Sequence, residues 1–394
     1  CACLVGSEMC IRDRTKEQRL SLQMDEFMNR RYEFRYNTQI GEVEYRERFS
    51  FQFYFHPIDK RAQNSIMLDA QSEGIGVWDR DIDRYLHSNR VPIYNPLEEF
   101  LFHLPHWDGK DRIHALANRV PCKNPHWELL FHRWFLNMVS HWRGVDKMHA
   151  NNTSPILVGR QGTHKSTFCR EMIPPALRAY YTDSIDFSHK RDAELYLNRF
   201  ALINIDEFDQ ITLPQQGFLK HILQKPVVNL RKPHGRSVLE LQRYASFIGT
   251  SNQKDLLTDP SGSRRFICIE VTGNIDTTQP IDYEQLYAQA MHEIHHGERY
   301  WFDSEDEQIM TENNREFEQT PAMLQLFYQY FKTAQTKEEG EFLTPVEILN
   351  YLKKKSGMSL SDNKVYHFGR LLQKCGIPSK HTYKGTVYQV IKLS

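Results

Sequence analysis

The sequence predicts an α/β protein with a parallel central sheet that is flanked by helices. Within residues 151–297, four short apolar runs (ILV, FALINI, ASFIGT and FICIEV) alternate with helical segments, a pattern that is typical of parallel strands joined by helices. The chain of 394 residues is too long for one hydrophobic core, so we expect additional domains. A mixed helical N-terminal domain is predicted before the sheet and a winged-helix module after it.

The composition excludes several classes of protein. Hydrophobic residues make up 40% of the chain, charged residues make up 25%, and the formal net charge is zero. This balance argues against a surface that binds polyanions everywhere, although local patches of one sign are compatible with it. The sequence has no run of 18 apolar residues and no charged-then-apolar leader, so we expect a cytoplasmic protein without a membrane partner. The seven cysteines include no C-x-x-C pair, which fits a reducing compartment.

The first 150 residues divide into three predicted parts. Residues 1–14 (CACLVGSEMCIRDR) lack an initiator Met and differ in character from everything downstream, so we expect an adaptor-like or disordered tail outside the fold. In residues 15–100, a polar helix, two alternating runs around Gly41 and two weaker helices predict a mixed α/β domain. Residues 101–150 predict a helical subdomain whose long aromatic helix ends at Gly144.

The last hundred residues change sharply in charge. Residues 298–342 contain 11 Asp or Glu and 4 Lys or Arg, which predicts a solvated, acidic helical connector. Residues 343–394 start with a capping box (TPVE, 344–347) and continue as helix, helix and hairpin, the order of a winged helix. From 351 to 394 there are nine Lys or Arg and one Asp, a net charge of +8. Such a module predicts nucleic-acid binding, with protein docking as the alternative. The DNA contacts expected in it are Lys364, Arg370 and Lys384.

A glycine-bearing loop follows the first apolar run of the core. Residues 156–167, ILVGRQGTHKST, match the phosphate-loop pattern G-x-x-x-x-G-K-[ST] in its first glycine, Lys165 and Ser166, but His164 stands where the pattern has its second glycine. A strand, a loop and a helix start in this order direct backbone N–H groups toward phosphate. Lys165 is expected to reach the β- and γ-phosphates of ATP, and Ser166 to bind Mg²⁺. The residues expected to contact the nucleotide are Gly159, Gly162, Thr163, His164, Lys165, Ser166, Thr167 and Asp206.

Three downstream motifs supply chemical partners for this loop. ALINIDEF is an apolar strand that ends in Asp206-Glu207; Asp206 is expected to complete the Mg²⁺ site, and Glu207 to orient and deprotonate the attacking water. SFIGTSN is another strand, and its Asn252 is placed to position that water or to sense the γ-phosphate. In DPSGSRRF, Arg264 or Arg265 is expected to neutralise charge in the transition state, an effect of about 10³ to 10⁵ in rate. The four parts in this order predict a nucleotide site.

Six motifs together resemble one family. WDGKDRI, GRQGTHKST, NIDEFD, NLRKPHGR, FIGTSN and DPSGSRRF are similar to the virulence-associated E family of P-loop ATPases from mobile elements, which are related to superfamily 3 helicases and often linked to primases. The resemblance covers about residues 100–300. It implies an AAA+-like core, a homo-oligomeric ring in which an arginine of one subunit completes its neighbour's ATP site, and a possible primase partner.

The resemblance also implies that residues 225–243 face DNA, either single-stranded or forked. This segment contains five Lys or Arg and one Glu, a net charge of +4, for which a phosphate backbone is the natural counterpart. Lys232, His234 and Arg236 are the expected contacts. A loop that contacts a neighbouring subunit is the alternative.

His164 is the departure from the family pattern. The usual glycine can adopt φ > 0 without steric cost and lets the backbone close on the phosphates. Histidine adopts the left-handed conformation more readily than most residues, and Gly162 can take over part of the role. We expect either a tolerated substitution or a slowed ATPase.

A second motif supports a rival function. HEIHH at 292–296 matches the zinc-protease pattern H-E-x-x-H. The apolar stripe of this helix predicts that His292 and His296 point away from the core, and Glu312 or Glu316 would have to supply a third ligand. We therefore expect a DNA-dependent ATPase of the superfamily 3 helicase type. The alternatives are a DNA-binding replication or regulatory adaptor with a vestigial ATPase and, more remotely, a zinc metalloprotease.

Overall fold

The computed structural model describes residues 15–51, 53–144, 146, 148–230, 238–257, 260–319, 322–334, 340–357, 365–383 and 385–393. The chain divides into two compact units, Cys1–Lys254 with Asp259–Glu316 and Asp255–Thr258 with Phe317–Ser394. The segment 298–342, which was expected to be one helical connector, is therefore split between the two units. The tail predicted over 1–14 lies outside the described residues.

The first unit begins with a small α/β domain. Its elements are α1 (Lys16–Arg31), β1 (Tyr32–Asn37), β2 (Glu42–Glu47), β3 (His56–Pro57), α2 (Lys60–Ser72), α3 (Asp79–Leu86) and β4 (Ile93–Tyr94). A capping box between Thr15 and Gln18 starts α1, and Gly41 has a φ of 71° in the β1–β2 turn, where a side chain is disfavoured. The sheet order is β3-β2-β1-β4. Apolar side chains from the helices and from β1 share one core.

A helical segment follows this domain. Its elements are α4 (Pro96–Phe102), α5 (Arg112–Ala117) and α6 (Trp127–Arg143). Helix α6 is buried on most of its circumference, and Trp127, Trp134 and Trp142 are almost inaccessible. A helix in this environment needs no polar face, which explains its aromatic sequence. It ends at Gly144, whose φ is 67°, as predicted.

The central sheet is parallel, which confirms this part of the predicted fold class. Its region contains β5 (Ser154–Val158), α7 (Lys165–Glu171), β6 (Tyr181–Thr182), α8 (Lys190–Arg199), β7 (Leu202–Ile205), α9 (Leu213–Leu223), β8 (Val227–Leu230), β9 (Leu239–Gln242), β10 (Ser246–Ser251) and β11 (Phe266–Glu270). The strand order is β11-β5-β10-β7-β6, and each neighbouring pair is parallel. Strands β8 and β9 form a separate antiparallel hairpin.

The strand order decides which loops meet. Strands β5 and β7 both pair with β10, so the loops that follow these three strands emerge side by side at the carboxyl edge of the sheet, where α/β proteins usually bind ligands. All three strands are buried along their length, as expected for a sheet covered on both faces. Helices α10 (Tyr283–His295) and α11 (Ser304–Asn313) complete the unit.

The second unit is small and has its own core. It contains α12 (Ala322–Tyr330), β12 (Phe331–Thr333), β13 (Glu341–Leu343), α13 (Pro345–Ser356), α14 (Val365–Lys374), β14 (Ser379–Thr382) and β15 (Gly385–Lys392). Thr344 and Glu347 form the predicted capping box, and α13 stops at Gly357 with a φ of 68°. Strand β15 pairs antiparallel with β12, β13 and β14. None of the helices that the structure describes has the length and apolar character that crossing a bilayer requires.

Candidate functional site

The loop between β5 and α7 is anchored at both ends. The Gly159 N–H donates to the carbonyl oxygen of Ser251, 3.0 Å away, and the Ile275 N–H donates to the carbonyl oxygen of Thr163 at 3.1 Å. A Cβ on Gly159 would lie 3.0 Å from the Val271 carbonyl oxygen, so a side chain there would push the loop away from the next strand. Gly162 has a φ of 84°, which only glycine adopts without strain.

His164 occupies the position where the phosphate-loop pattern has glycine. Its φ is 65° and its ψ is 23°, so it lies in the left-handed region and forms the N-cap of α7. Its side chain is exposed. The backbone therefore adopts the conformation that glycine would take most easily, and histidine carries its steric cost. Thr167, also expected near the nucleotide, is exposed on the first turn of α7.

Lys165 is the first residue of α7; its side chain packs against the loop and is 6% exposed. Its Nζ donates to the carbonyl oxygens of Gly159 and Arg160, both at 2.8 Å, and to Asn252 Oδ1 at 3.2 Å. These acceptors are uncharged, so they leave the ammonium charge available to an anion. Burial lowers the pKa of Lys165, and the nearby Asp206 carboxylate partly offsets this effect.

Asp206 follows β7 and binds two hydroxyl groups. Its Oδ1 accepts hydrogen bonds from Ser166 Oγ at 3.0 Å and from Thr250 Oγ1. The two residues expected to share Mg²⁺ are thus in direct contact. The sequence did not point to Thr250. A threonine inside an apolar strand looks like any other residue that packs in the core.

Glu207 and Asp209 form the rest of this turn. Glu207 is exposed, with a φ of 54° and a ψ of 52°, a left-handed conformation that typically costs a non-glycine residue about 1–3 kcal/mol and is most common at functional sites. A 3₁₀ turn over Phe208–Gln210 follows. It brings Asp209 to the end of β10, where Asp209 Oδ1 accepts from Ser251 Oγ at 2.8 Å and from the Asn252 N–H at 3.4 Å. Sequence reasoning missed Asp209, although the third acid of NIDEFD was a visible signal.

The two arginines lie on a 3₁₀ turn, Pro260–Arg265, before β11. Arg264 Nη1 is 2.9 Å from Glu307 Oε2 on α11 and remains about half exposed. Arg265 is partly buried. The structure therefore brings Lys165, Ser166, Asp206 and Asn252 together, whereas Arg264 contacts an acidic helix instead of this group.

Two of the five cations counted in the segment 225–243 have partners inside the fold. Lys225 Nζ is 2.5 Å from Glu194 Oε1. Arg243 is 1% exposed, and its guanidinium donates to the carbonyl oxygens of Leu223, Lys225, Ala245 and Asn151 at 2.7–2.9 Å. Burial lowers the pKa of Arg243 to about 9. These two cations hold the hairpin to the core and are not available to DNA, which corrects the +4 estimate.

The remaining expected DNA contacts are described only in part. Lys232, His234 and Arg236, between β8 and β9, and Lys364 and Lys384 in the second unit lie outside the described residues. In the second unit, Arg370 is exposed on α14. Its Nη2 donates to the Tyr366 hydroxyl at 2.7 Å, and its guanidinium lies 4.5 Å from the centre of that ring.

The H-E-x-x-H motif has a structural explanation. His292 and His296 are exposed, as predicted, and their rings stack with centres 3.9 Å apart. Glu293 instead faces inward, where it accepts from Gln289 Nε2 at 2.9 Å and lies 2.7 Å from His132 Nε2. Within the described ranges, no three His, Cys, Asp or Glu side chains are grouped to hold a metal ion. Glu293 thus joins α10 to α6.

The WDGKDRI motif contacts the same helix, α10. Arg112 pairs with Asp108 at 2.6 Å and with Asp282 at 3.1 Å. The N–H groups of Arg112 and Ile113 donate to Gln289 Oε1 at 2.6 and 3.1 Å. The motif therefore fixes α5 against α10 and stays outside the polar group that contains Lys165.

The fold and this polar group define an α/β protein with a lysine, a serine, a carboxylate and an amide gathered at the carboxyl edge of a parallel sheet. The family model of the virulence-associated protein E-like domain matches residues 101–319. This match covers more than half of the chain, and the chain belongs to this family. A model of a domain of unknown function from B. Theta, DUF3874, matches residues 320–390.

Solved structures of the NrS-1 C-terminal region are similar to most of the chain at low identity. The A form apo structure of the NrS-1 C-terminal region has a TM-score of 0.46 and 10% identity, covering 94% of this chain and 99% of that one. A second apo structure of the same region has a TM-score of 0.46 and 11% identity, covering 94% and 98%. No curated protein matches the chain.

Proposed function

We propose that this chain is a DNA-dependent ATPase of the superfamily 3 helicase type that acts in the replication of a mobile genetic element. One observation carries the proposal: Lys165 contacts Asn252, and Ser166 contacts Asp206, at the carboxyl edge of a parallel sheet. Ligands bind at this edge in open α/β sheets. Membership of the virulence-associated protein E-like family supports the same function.

The donor set fits ATP with Mg²⁺. Lys165 would bind the β- and γ-phosphates, because the oxygens of Gly159, Arg160 and Asn252 that accept hydrogen bonds from its Nζ are uncharged. Ser166 and Asp206 would hold Mg²⁺, which prefers oxygen ligands at about 2.0–2.1 Å and therefore separates adjacent ligands by about 2.9 Å. Ser166 Oγ and Asp206 Oδ1 are 3.0 Å apart. When bound, the metal would neutralise phosphate charge.

The remaining residues act on the attacking water and on the developing charge. Glu207 would accept a proton from this water, since its side chain is exposed in the turn that follows β7. Asn252 would position the water, with Asp209 holding its backbone. Arg264 or Arg265 would complete the site of a neighbouring subunit in a homo-oligomeric ring. In its own subunit, Arg264 pairs with Glu307 and remains about half exposed. The P-loop and AAA+-like assignments belong to this proposal.

DNA would be bound by two basic regions. The first is the segment between β8 and β9, which contains Lys232, His234 and Arg236 and no acidic residue. The second is the C-terminal unit, which we interpret as a winged helix because α13, α14 and the β14–β15 hairpin follow one another. The basic residues Lys364, Arg370 and Lys384 would face phosphates there. A primase is the proposed replication partner.

The test is steady-state ATP hydrolysis by the full chain with and without single-stranded DNA. Lys165→Ala should abolish nucleotide binding, whereas Glu207→Gln should keep binding and lower turnover by about 10²- to 10⁴-fold, the usual contribution of a general base. Lys60→Ala and Glu284→Gln are matched controls, because both side chains are exposed and lie on other helices. Unchanged turnover in both test variants would refute the ATPase and leave the DNA-binding adaptor.

Ring formation is tested separately by molecular mass in solution. The mass with ATP and single-stranded DNA should be a multiple of the subunit mass of 46.8 kDa. A monomer under all conditions would rule out an arginine acting between subunits.

A further inference from the structure

A groove in the N-terminal domain has no part in the proposed ATP site. It runs between α1 and α3 around a cavity of ≈ 680 Å³ and is lined by Lys16, Trp78, Arg80, Arg84 and Arg90, among other residues; we call it the N-terminal groove. A second cavity of ≈ 330 Å³ adjoins it, because Tyr85 and Arg90 line both. Two open cavities side by side suit a chain-like ligand better than a compact one.

Half of the cations in the lining are free of close carboxylate contacts or largely exposed. Six Lys or Arg side chains line the two cavities. Arg90 pairs with Asp25, Arg35 with Glu44 and Arg48 with Glu33. Lys16, Arg80 and Arg84 remain exposed. Arg80 and Arg84 are separated by one helical turn, so they lie on the same face of α3. Arg84 is 3.7 Å from Asp81 but remains largely exposed, and Arg80 is also exposed. Like charges at this spacing oppose the helix, and a bound anion would relieve that repulsion.

Trp78 lies beside these arginines and exposes 64% of its surface. Its backbone is nevertheless held in place: its N–H donates to Asp81 Oδ2 at 3.1 Å, and the carbonyl oxygen of the preceding Val77 accepts from Gln71 Nε2 at 3.0 Å. The side chain therefore projects from a fixed point. An aromatic face next to cations is the combination that binds unpaired bases and their phosphates, because every base can stack on it.

We propose that the N-terminal groove binds single-stranded nucleic acid, with a base stacked on Trp78 and adjacent phosphates paired with Arg80 and Arg84. A duplex does not fit this arrangement, since its bases are already stacked on one another. An acidic peptide would use the arginines but would gain little from the indole. The proposal goes beyond the ATPase, because it requires neither the hairpin between β8 and β9 nor ATP hydrolysis.

The first test measures, by fluorescence anisotropy, the binding of a labelled 20-nucleotide poly(dT) to the full chain. The background carries Lys232→Ala, Arg236→Ala, Lys364→Ala, Arg370→Ala and Lys384→Ala, which removes the contacts proposed for the other two DNA-binding regions. Trp78→Ala should weaken binding by about 5- to 150-fold, which corresponds to one lost base stack. Trp78→Phe should retain most of the affinity. Because Trp78 is exposed, neither change removes core packing. Equal affinity of Trp78→Ala and the parent would overturn the proposal.

The second test is the salt dependence of binding. The double variant Arg80→Ala, Arg84→Ala should reduce the slope of log K against log salt by about 1.4, since each single-strand phosphate contact contributes about 0.7. The double variant Arg19→Ala, Arg61→Ala is the matched control, because these exposed arginines lie in the same domain and are not among the residues that line the groove. The proposal would be overturned by equal slopes in the two variants, or by equal affinity of the chain for poly(dT) and for a duplex of the same length.

A third measurement separates this site from an acidic-peptide site and from the ATPase. Poly(dT) should quench tryptophan fluorescence in the parent but much less in Trp78→Phe, whereas poly-glutamate should not quench. Quenching that is unchanged in Trp78→Phe would refute the stacking. A Lys165→Ala chain should bind poly(dT) through the groove as the parent does, so loss of ATPase activity alone leaves this proposal standing.

Discussion

Replacing His164 tests whether its backbone or its imidazole matters. In the left-handed conformation that His164 adopts (φ 65°, ψ 23°), a non-glycine residue bears a steric cost of about 1–2 kcal/mol. Glycine would remove this cost but would lose about 0.5–1 kcal/mol through the greater freedom of its unfolded chain. The His164→Gly variant should therefore be more stable by about 0–1.5 kcal/mol. The exposed imidazole contributes no packing that would change this balance.

His164→Ala is the matched control, because it keeps the Cβ and its steric cost but removes the imidazole. Its free energy of unfolding should lie about 1 kcal/mol below that of His164→Gly. If the loop needs only the left-handed backbone, His164→Gly should bind and hydrolyse ATP at least as well as the parent. Urea unfolding, titration with a fluorescent ATP analogue and steady-state ATPase assays measure these quantities.

Loss of nucleotide affinity in both His164 variants would refute the backbone explanation. If both variants lose nucleotide affinity by more than about tenfold, the imidazole itself contacts the nucleotide. The backbone explanation would then be wrong even if the stabilities follow the expected order.

Three further predictions concern residues that the structure makes unusual. Glu207→Gly should raise the free energy of unfolding by about 1 kcal/mol, because it relieves a left-handed glutamate, while ATP turnover falls; a destabilised variant in thermal unfolding would contradict this. Arg243→Lys should destabilise the first unit by about 2–5 kcal/mol, because lysine has too few donors for the buried carbonyls; an unchanged urea midpoint would contradict it. Burial lowers the pKa of His141 to about 3, so the unfolded chain binds more protons between about pH 3 and 6.5, and stability should fall as pH falls through this range. Substitution by Gln, which can still accept from the Asn151 N–H, should remove up to about 1.4 kcal/mol per pH unit from that dependence; equal slopes in urea titrations at several pH values would be the contrary outcome.

Charge counting failed where cations are used inside the fold. Lys225 and Arg243 contributed two of the five positive charges assigned to a DNA-facing segment. One of them pairs with Glu194, and the other is enclosed by backbone carbonyl oxygens. The five cations are alike in the sequence. The glutamate that pairs with Lys225 and most of the carbonyl oxygens that surround Arg243 come from other parts of the chain, so the segment itself does not reveal them. The charge of a segment therefore predicts binding only after its internal partners are known.

Periodicity and turn residues were sufficient for most secondary elements. The four apolar runs became the buried parallel strands, and Gly41, Gly144 and Gly357 mark turns or helix ends at positive φ, since local sterics decide these features. The edge strand β6 and the hairpin strands β8 and β9 escaped prediction. They are two to four residues long, too short to show a period, and each is a strand only through its pairing with another segment.

The sequence by itself determined the parallel α/β core, the polar residues at its strand ends and the capped helix of the second unit, because each depends on the order and spacing of neighbouring residues. Only the tertiary structure decided which of these polar residues touch. The pairing of β10 with both β5 and β7 brings Lys165 to Asn252 and Ser166 to Asp206. The tertiary structure also brings Asp209 to the backbone N–H of Asn252 and Arg264 to Glu307. Strand order is a long-range property, and contacts that depend on it are absent from any local pattern.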